Sequence, residues 1–188
     1  MITIKKSIFK NPSTIPEILE VILSQGVQES FKLSQDQIKW TSEFIDVCGS
    51  RIVHLSGDRR TGRTSVGIGM LLTTALFKDN TESMMMTYNK ETARYALQKT
   101  LDYIRLFCEI FSLPEIVKSR SQNKITLING STIHFSKKSE NSLRGCSLDN
   151  LFLDFNSISM ESLDDEFMSV AIPSISGSDG KMIISIGE

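Results

Sequence analysis

The residues Gly57-Asp58-Arg59-Arg60-Thr61-Gly62-Arg63-Thr64 follow the spacing G-x-x-x-x-G-K-[ST], with arginine where the pattern has lysine. Main-chain N–H groups in such a loop, with the helix N-terminus that follows, form a nest for the β-phosphate of a nucleotide. The Thr64 hydroxyl is a ligand for Mg²⁺, Ser65 extends the cradle, and Gly62 lets the backbone approach the phosphates closely. A second element answers the first. Leu151-Phe152-Leu153-Asp154 is an apolar run ending in a carboxylate about ninety residues later, and Asp154 at a strand tip can hold the same Mg²⁺ directly or through water. The chemistry expected of the pair is binding of ATP with Mg²⁺.

Three arginines bear on rate. At position 63 a forked, planar guanidinium replaces the compact ammonium of lysine, so it can neutralise phosphate through paired hydrogen bonds while placing charge differently in the transition state. The alternative is that Arg63 points to solvent at the start of the helix. Arg59 and Arg60 lie within the loop. Either could stabilise charge developing on the γ-phosphate, with Arg59 the catalytic or sensing candidate, or both could be surface cations.

These groups need a scaffold. Arg51 to Leu55 reads as the strand entering the loop and Thr64 to Phe77 as a buried helix leaving it. Ser83 to Tyr88, with Met84, Met85 and Met86, is expected as a buried parallel strand rather than a methionine recognition surface. Lys90 to Phe111 has helical apolar spacing and ends before Leu113-Pro114. Lys124–Ile128 and Ser131–Phe135 flank Asn129-Gly130, which predicts a hairpin with a two-residue type I′ turn. Asn150–Phe155 and Lys181–Ile186 read as strands, and Glu161–Val170 as a helix. Upstream, Leu33–Val47 is a helix with Ile38, Phe44 and Ile45 apolar and Ser34 or Asp36 as its N-cap. Residues 1–30 form a peripheral arm, with Pro12 and Pro16 breaking it, an amphipathic helix marked by Ile15, Ile18, Leu19, Ile22 and Leu23, and Gly26 as its stop. Alternating strands and helices predict an α/β fold: a mainly parallel sheet flanked by helices, carrying an inserted β-hairpin, with ligand chemistry at the carboxyl ends of the strands.

With 188 residues and 40% apolar content, the chain can bury one sizeable core, so residues 31–188 are expected as one domain beside the arm of residues 1–30. A net charge of −1 argues against a surface that is basic overall. Three widely spaced cysteines suggest neither a disulfide framework nor a zinc site, and a reducing cytoplasmic setting fits them. No apolar run approaches the roughly 18 to 20 residues of a membrane helix.

From about Leu33 onward the chain resembles the N-terminal ATPase domain of large terminase subunits, the motors that package DNA in tailed phages. Leu33-Ser34-Gln35-Asp36-Gln37 looks like the adenine-recognising glutamine motif, with Gln37 at the position that reads the base. The segment from Leu55 to Ser65 is similar to the terminase phosphate loop, in which an arginine stands three positions before the second glycine, as Arg59 does. Asn129-Gly130-Ser131-Thr132-Ile133, then Ser142-Leu143-Arg144-Gly145, look like the hairpin and R-G segment that precede the acidic strand. The resemblance implies a P-loop NTPase fold of the ASCE type, and ATP-driven translocation of double-stranded DNA into a procapsid. It also implies a homo-oligomeric ring on the portal, the small terminase as partner, and action in the cytoplasm of the infected bacterial host. Arg144 would then act in trans on a neighbour's nucleotide; the local alternative is a salt bridge that orders its own loop.

Three departures qualify that expectation. The family follows its strand aspartate with a glutamate that orients the attacking water, but Phe155 stands here, and loss of a general base costs a factor of about 10² to 10⁴. Glu161, Asp164, Asp165 and Glu166 are the nearby carboxylates, expected as a solvated acidic helix start. The threonine-rich coupling motif is represented by Ser185-Ile186-Gly187, and no nuclease domain is expected within the 188 residues. Two functions follow: an ATPase module with slow hydrolysis, or a hydrolysis-deficient nucleotide-binding or structural relative serving as an assembly partner. A helicase-like nucleic-acid ATPase ranks behind both.

Overall fold

Ser34 begins the helix that precedes the sheet by a capping box. Its hydroxyl accepts from the Gln37 amide and the Gln37 side chain accepts from the Ser34 amide, which satisfies two donors that a helix start leaves open. This helix, α1 (Gln35–Ile45), buries Gln37, Trp40, Thr41 and Phe44. Ile38 was expected on the apolar face but is 47% exposed, because the phase is set by Trp40, at 2%, and Phe44. The computed structural model describes residues 20, 33–46, 51–57, 61–155, 163–175 and 180–185. Apart from Glu20, the expected N-terminal arm and its helix lie outside the described residues, as do Asp58, Arg59, Arg60, Glu161, Ile186 and Gly187.

The elements after α1 are β1 (Ile52–Leu55), α2 (Arg63–Phe77), β2 (Glu82–Thr87), α3 (Lys90–Ile110), β3 (Val117–Arg120), β4 (Lys124–Leu127), β5 (Thr132–Lys137), β6 (Asn150–Asp154), α4 (Asp165–Ala171) and β7 (Lys181–Ser185). The strands form one seven-stranded sheet in the order β1-β7-β6-β2-β5-β4-β3. Pairing is parallel from β1 across to β5 and antiparallel among β5, β4 and β3. This is the expected α/β architecture, a mostly parallel sheet with an antiparallel hairpin.

Both faces of the sheet are covered, so its central strands are apolar without alternation. Met85 and Phe152 join the cluster under α1, α2 and α3, whereas Met84, Met86, Leu151 and Leu153 face a second cluster with Phe155 and Phe167. The period of two along each strand assigns neighbours to opposite cores. All three methionines are buried, as the strand reading predicted. Close approach of α2 to β6 needs glycine: a Cβ on Gly67 would overlap the Phe152 ring.

Two further local features differ from expectation. Val117–Arg120, an exposed edge strand, was not anticipated, because its polar sequence carries little strand signal. The hairpin forms at Asn129-Gly130, but the turn is not type I′, which needs positive φ at both central residues. Only Gly130 has it, at 85°. The Asn129 amide nitrogen instead donates to the carbonyls of Ala75 and Lys78 at the end of α2, pinning the hairpin tip to that helix.

Candidate functional site

The register Leu55↔Ser185, Asp154↔Ser185 and Thr87↔Asp154 aligns the carboxyl ends of β1, β7, β6 and β2 in one row. The chain leaves β1 through Gly57, at φ 133°, and enters α2 at Gly62, at φ 80°. Gly62 is the N-cap of α2 and supplies no side-chain cap. The first intrahelical bond runs from the Val66 amide to the Gly62 carbonyl, so the amides of Thr64 and Ser65 have no acceptor within the helix. An uncapped helix start at the sheet's carboxyl edge is electrostatically suited to an anion.

Four of the sequence candidates, Thr64, Asp154, Gln37 and Arg63, converge here. The Thr64 hydroxyl donates to Asp154 Oδ2 at 2.6 Å, joining the loop helix to the tip of β6. Asp154 is 1% exposed. Burying a carboxylate is costly without compensation, and the Thr64 hydroxyl supplies part of it. A hydroxyl and a carboxylate are hard oxygen donors. The set fits Mg²⁺, whose remaining positions are normally filled by water and phosphate oxygens.

Gln37 reaches the loop from α1. Its Nε2 donates to the Thr61 carbonyl at 2.9 Å while its Oε1 caps its own helix. A Cβ at Gly62 would stand 2.9 Å from that nitrogen, so the contact and the left-handed backbone both select glycine. Arg63 is 5% exposed and its guanidinium donates to the Gly57 carbonyl at 2.7 Å, bridging the two ends of the loop. The solvent-facing alternative for Arg63 is therefore excluded.

Other candidates are placed apart. Arg144 follows a short 3₁₀ turn, Glu140–Ser142; its side chain is 64% exposed, with the guanidinium 3.7 Å from Glu140. An exposed pair of this kind contributes little to stability. Phe155 turns from the carboxyl edge of the sheet into the second core, where it is 2% exposed and meets Phe167 edge-on at 6.1 Å. Lys138 closes over both rings and pairs with Asp164. Asp164 caps α4 through the Phe167 amide; that bond, then Lys138, holds its carboxyl below the usual range. Ser185 is buried on β7 between β1 and β6.

Sequence reasoning missed Lys99. Its ammonium donates to Ser65 Oγ at 2.7 Å and sits 5.9 and 5.7 Å from the ring centres of Tyr95 and Tyr103. The spacing Tyr95, Lys99, Tyr103 places all three on one helix face, which was the legible signal.

No protein-family model matches the sequence, and no curated relative does. Solved structures do. The large terminase of bacteriophage HK97 superposes with a TM-score of 0.70 over 94% of this chain and 37% of that one, at 17% identity. The large terminase ATPase domain of Thermus phage P74-26 gives 0.63 over 83% of this chain and 65% of that domain, at 15% identity. The chain has the fold of a large terminase ATPase domain. A third large terminase of this fold, from a thermophilic bacteriophage, was solved in complex with ADP; it matches at 0.55 and 17% identity, over 82% of this chain and 38% of that one. The present chain thus spans about a third of the length of two of these terminases and two-thirds of the isolated ATPase domain. Among the described residues no helix is long and apolar enough to cross a membrane.

Proposed function

We propose that the chain is the nucleotide-binding module of a viral DNA-packaging terminase. Residues 31–188 form the ATPase domain, and residues 1–30 an arm. The observation that carries this reading is the Thr64–Asp154 contact, a loop hydroxyl against a buried carboxylate at the tip of the parallel strand next but one to β1. Residues 57 to 65 would hold the phosphates of ATP, Gln37 the adenine, and Thr64 with Asp154 the Mg²⁺. Mg²⁺ supplies charge neutralisation on the β- and γ-phosphates when bound. Exposed Arg144 suits action on a neighbour's nucleotide in a ring, and Arg59 suits the γ-phosphate of its own. Double-stranded DNA, the portal and the small terminase are the partners, in the cytoplasm of the infected host.

The buried ring of Phe155 favours a second reading, a hydrolysis-deficient relative that binds nucleotide and serves in assembly. Titration of purified protein with ATP and Mg²⁺, followed by phosphate release, separates the two. Binding with slow release supports the module. Unchanged affinity in both Asp154→Ala and Gly62→Val removes the site.

A further inference from the structure

We propose that Lys99 is a positioning residue of the nucleotide site, acting through Ser65 on the phosphates that di- and triphosphates share. The inference rests on the nucleotide-binding reading and extends it to a helix outside the loop. Three observations carry it. The Lys99 ammonium reaches Ser65 Oγ at 2.7 Å, in the first turn of α2. Among the described residues no carboxylate lies within ion-pair distance of Lys99: the neighbouring Asp102 is engaged by Gln98 and Arg105. The charge is instead framed by two aromatic faces, Tyr103 buried and Tyr95 63% exposed, along a groove of about 350 Å³. Tyrosine faces orient a cation without neutralising it.

The hydroxyl geometry gives the charge a direction. A serine hydroxyl has one proton to donate, and when its oxygen accepts from an ammonium that proton must go elsewhere. Among the described residues Ser65 Oγ has no acceptor for it. Ser65 is one residue beyond Thr64 and so projects about 100° further round the helix, away from the Asp154 side where the metal belongs. On the nucleotide-binding reading, its proton is therefore available to a phosphate oxygen away from the Thr64–Asp154 side. Lys99 brings a cation from a separate helix to the first turn of α2, beside the arginines that the loop sequence itself carries.

The test is calorimetric titration of ADP and of ATP with Mg²⁺ into the wild-type chain, Lys99→Met, Lys99→Arg and Ser65→Ala, each checked by thermal melting. Lys99→Met should weaken both nucleotides by the same factor, about tenfold for a lost charge-assisted hydrogen bond. Ser65→Ala should do the same and the double variant little more, because the two act in series. Lys99→Arg should recover most of the affinity. In any measurable turnover KM should rise while kcat holds. Wild-type binding with Lys99→Met unaffected, or a loss confined to ATP, overturns the role of Lys99 alone. Failure of the wild type to bind either nucleotide overturns the site reading and this inference together.

Discussion

Thr64 Oγ1 and Asp154 Oδ2 stand 2.6 Å apart although 90 residues separate them in the chain. The contact exists because β1 and β6 flank β7, so the loop after one strand faces the tip of the other. Asp154→Asn keeps the size and a hydrogen-bonding oxygen but removes the charge. If Asp154 is the proposed metal ligand, the variant should lower ATP affinity at least about tenfold when Mg²⁺ is present and much less in its absence. Titrations with and without Mg²⁺ check this; an equal loss in both conditions would rule out the metal role.

Gln37 combines a helix cap with a tether to the loop. Gln37→Ala should cost about 1–3 kcal/mol, the sum of a cap and one hydrogen bond. If Gln37 also reads adenine, the same variant should bind ATP and GTP more equally than the wild type. Chemical denaturation and competition titrations give the two answers separately. An unchanged ATP preference with lowered stability would leave Gln37 a purely structural residue.

Phe155 occupies the position where a glutamate base is expected by resemblance, yet its side chain packs against Phe167. A carboxylate there would enter an apolar cluster. Phe155→Glu should therefore destabilise by about 3 kcal/mol or more, against roughly 1 kcal/mol for Phe155→Leu, without accelerating phosphate release. A stable Phe155→Glu protein with brisk turnover would show that the strand end can swing toward the nucleotide.

His134 on β5 lies 2.9 Å from Glu82, but burial dominates and holds the imidazole below its ordinary value. With a folded value below the unfolded one of about 6.5, the unfolded state takes up the proton first. The stabilising contribution is present above about pH 6.5 and is lost as pH falls through the folded value. Melting temperatures from pH 8 to 5.5 should fall more steeply for the wild type than for His134→Phe. Parallel profiles would mean that another group controls the slope.

Much of the molecule was legible in one dimension. Phosphate-loop spacing, the acidic strand and the period changes located the loop helix, the central strands and the hairpin, since these follow from local sterics and from burial on both faces of a parallel sheet. The failures were of tertiary origin. Ile38 fits an amphipathic count but loses the buried face to Trp40. Asn129-Gly130 has the composition of a type I′ turn, yet helix-end carbonyls bring the asparagine into a different one. Val117–Arg120 becomes a strand because β4 offers it an edge.

The sequence by itself determined which groups are present and how they are spaced along each element: the glycines that admit left-handed backbone, the hydroxyl at 64, the carboxylate at 154, the phenyl ring at 155. Only the tertiary structure decided their directions. It aimed Thr64 at Asp154, folded Arg63 onto Gly57, turned Phe155 into the core and brought Lys99 to Ser65 from a separate helix. Spacing along a chain sets what an element can present on each face, whereas the partner it meets depends on strand order and helix crossing, which are properties of the whole packed sheet.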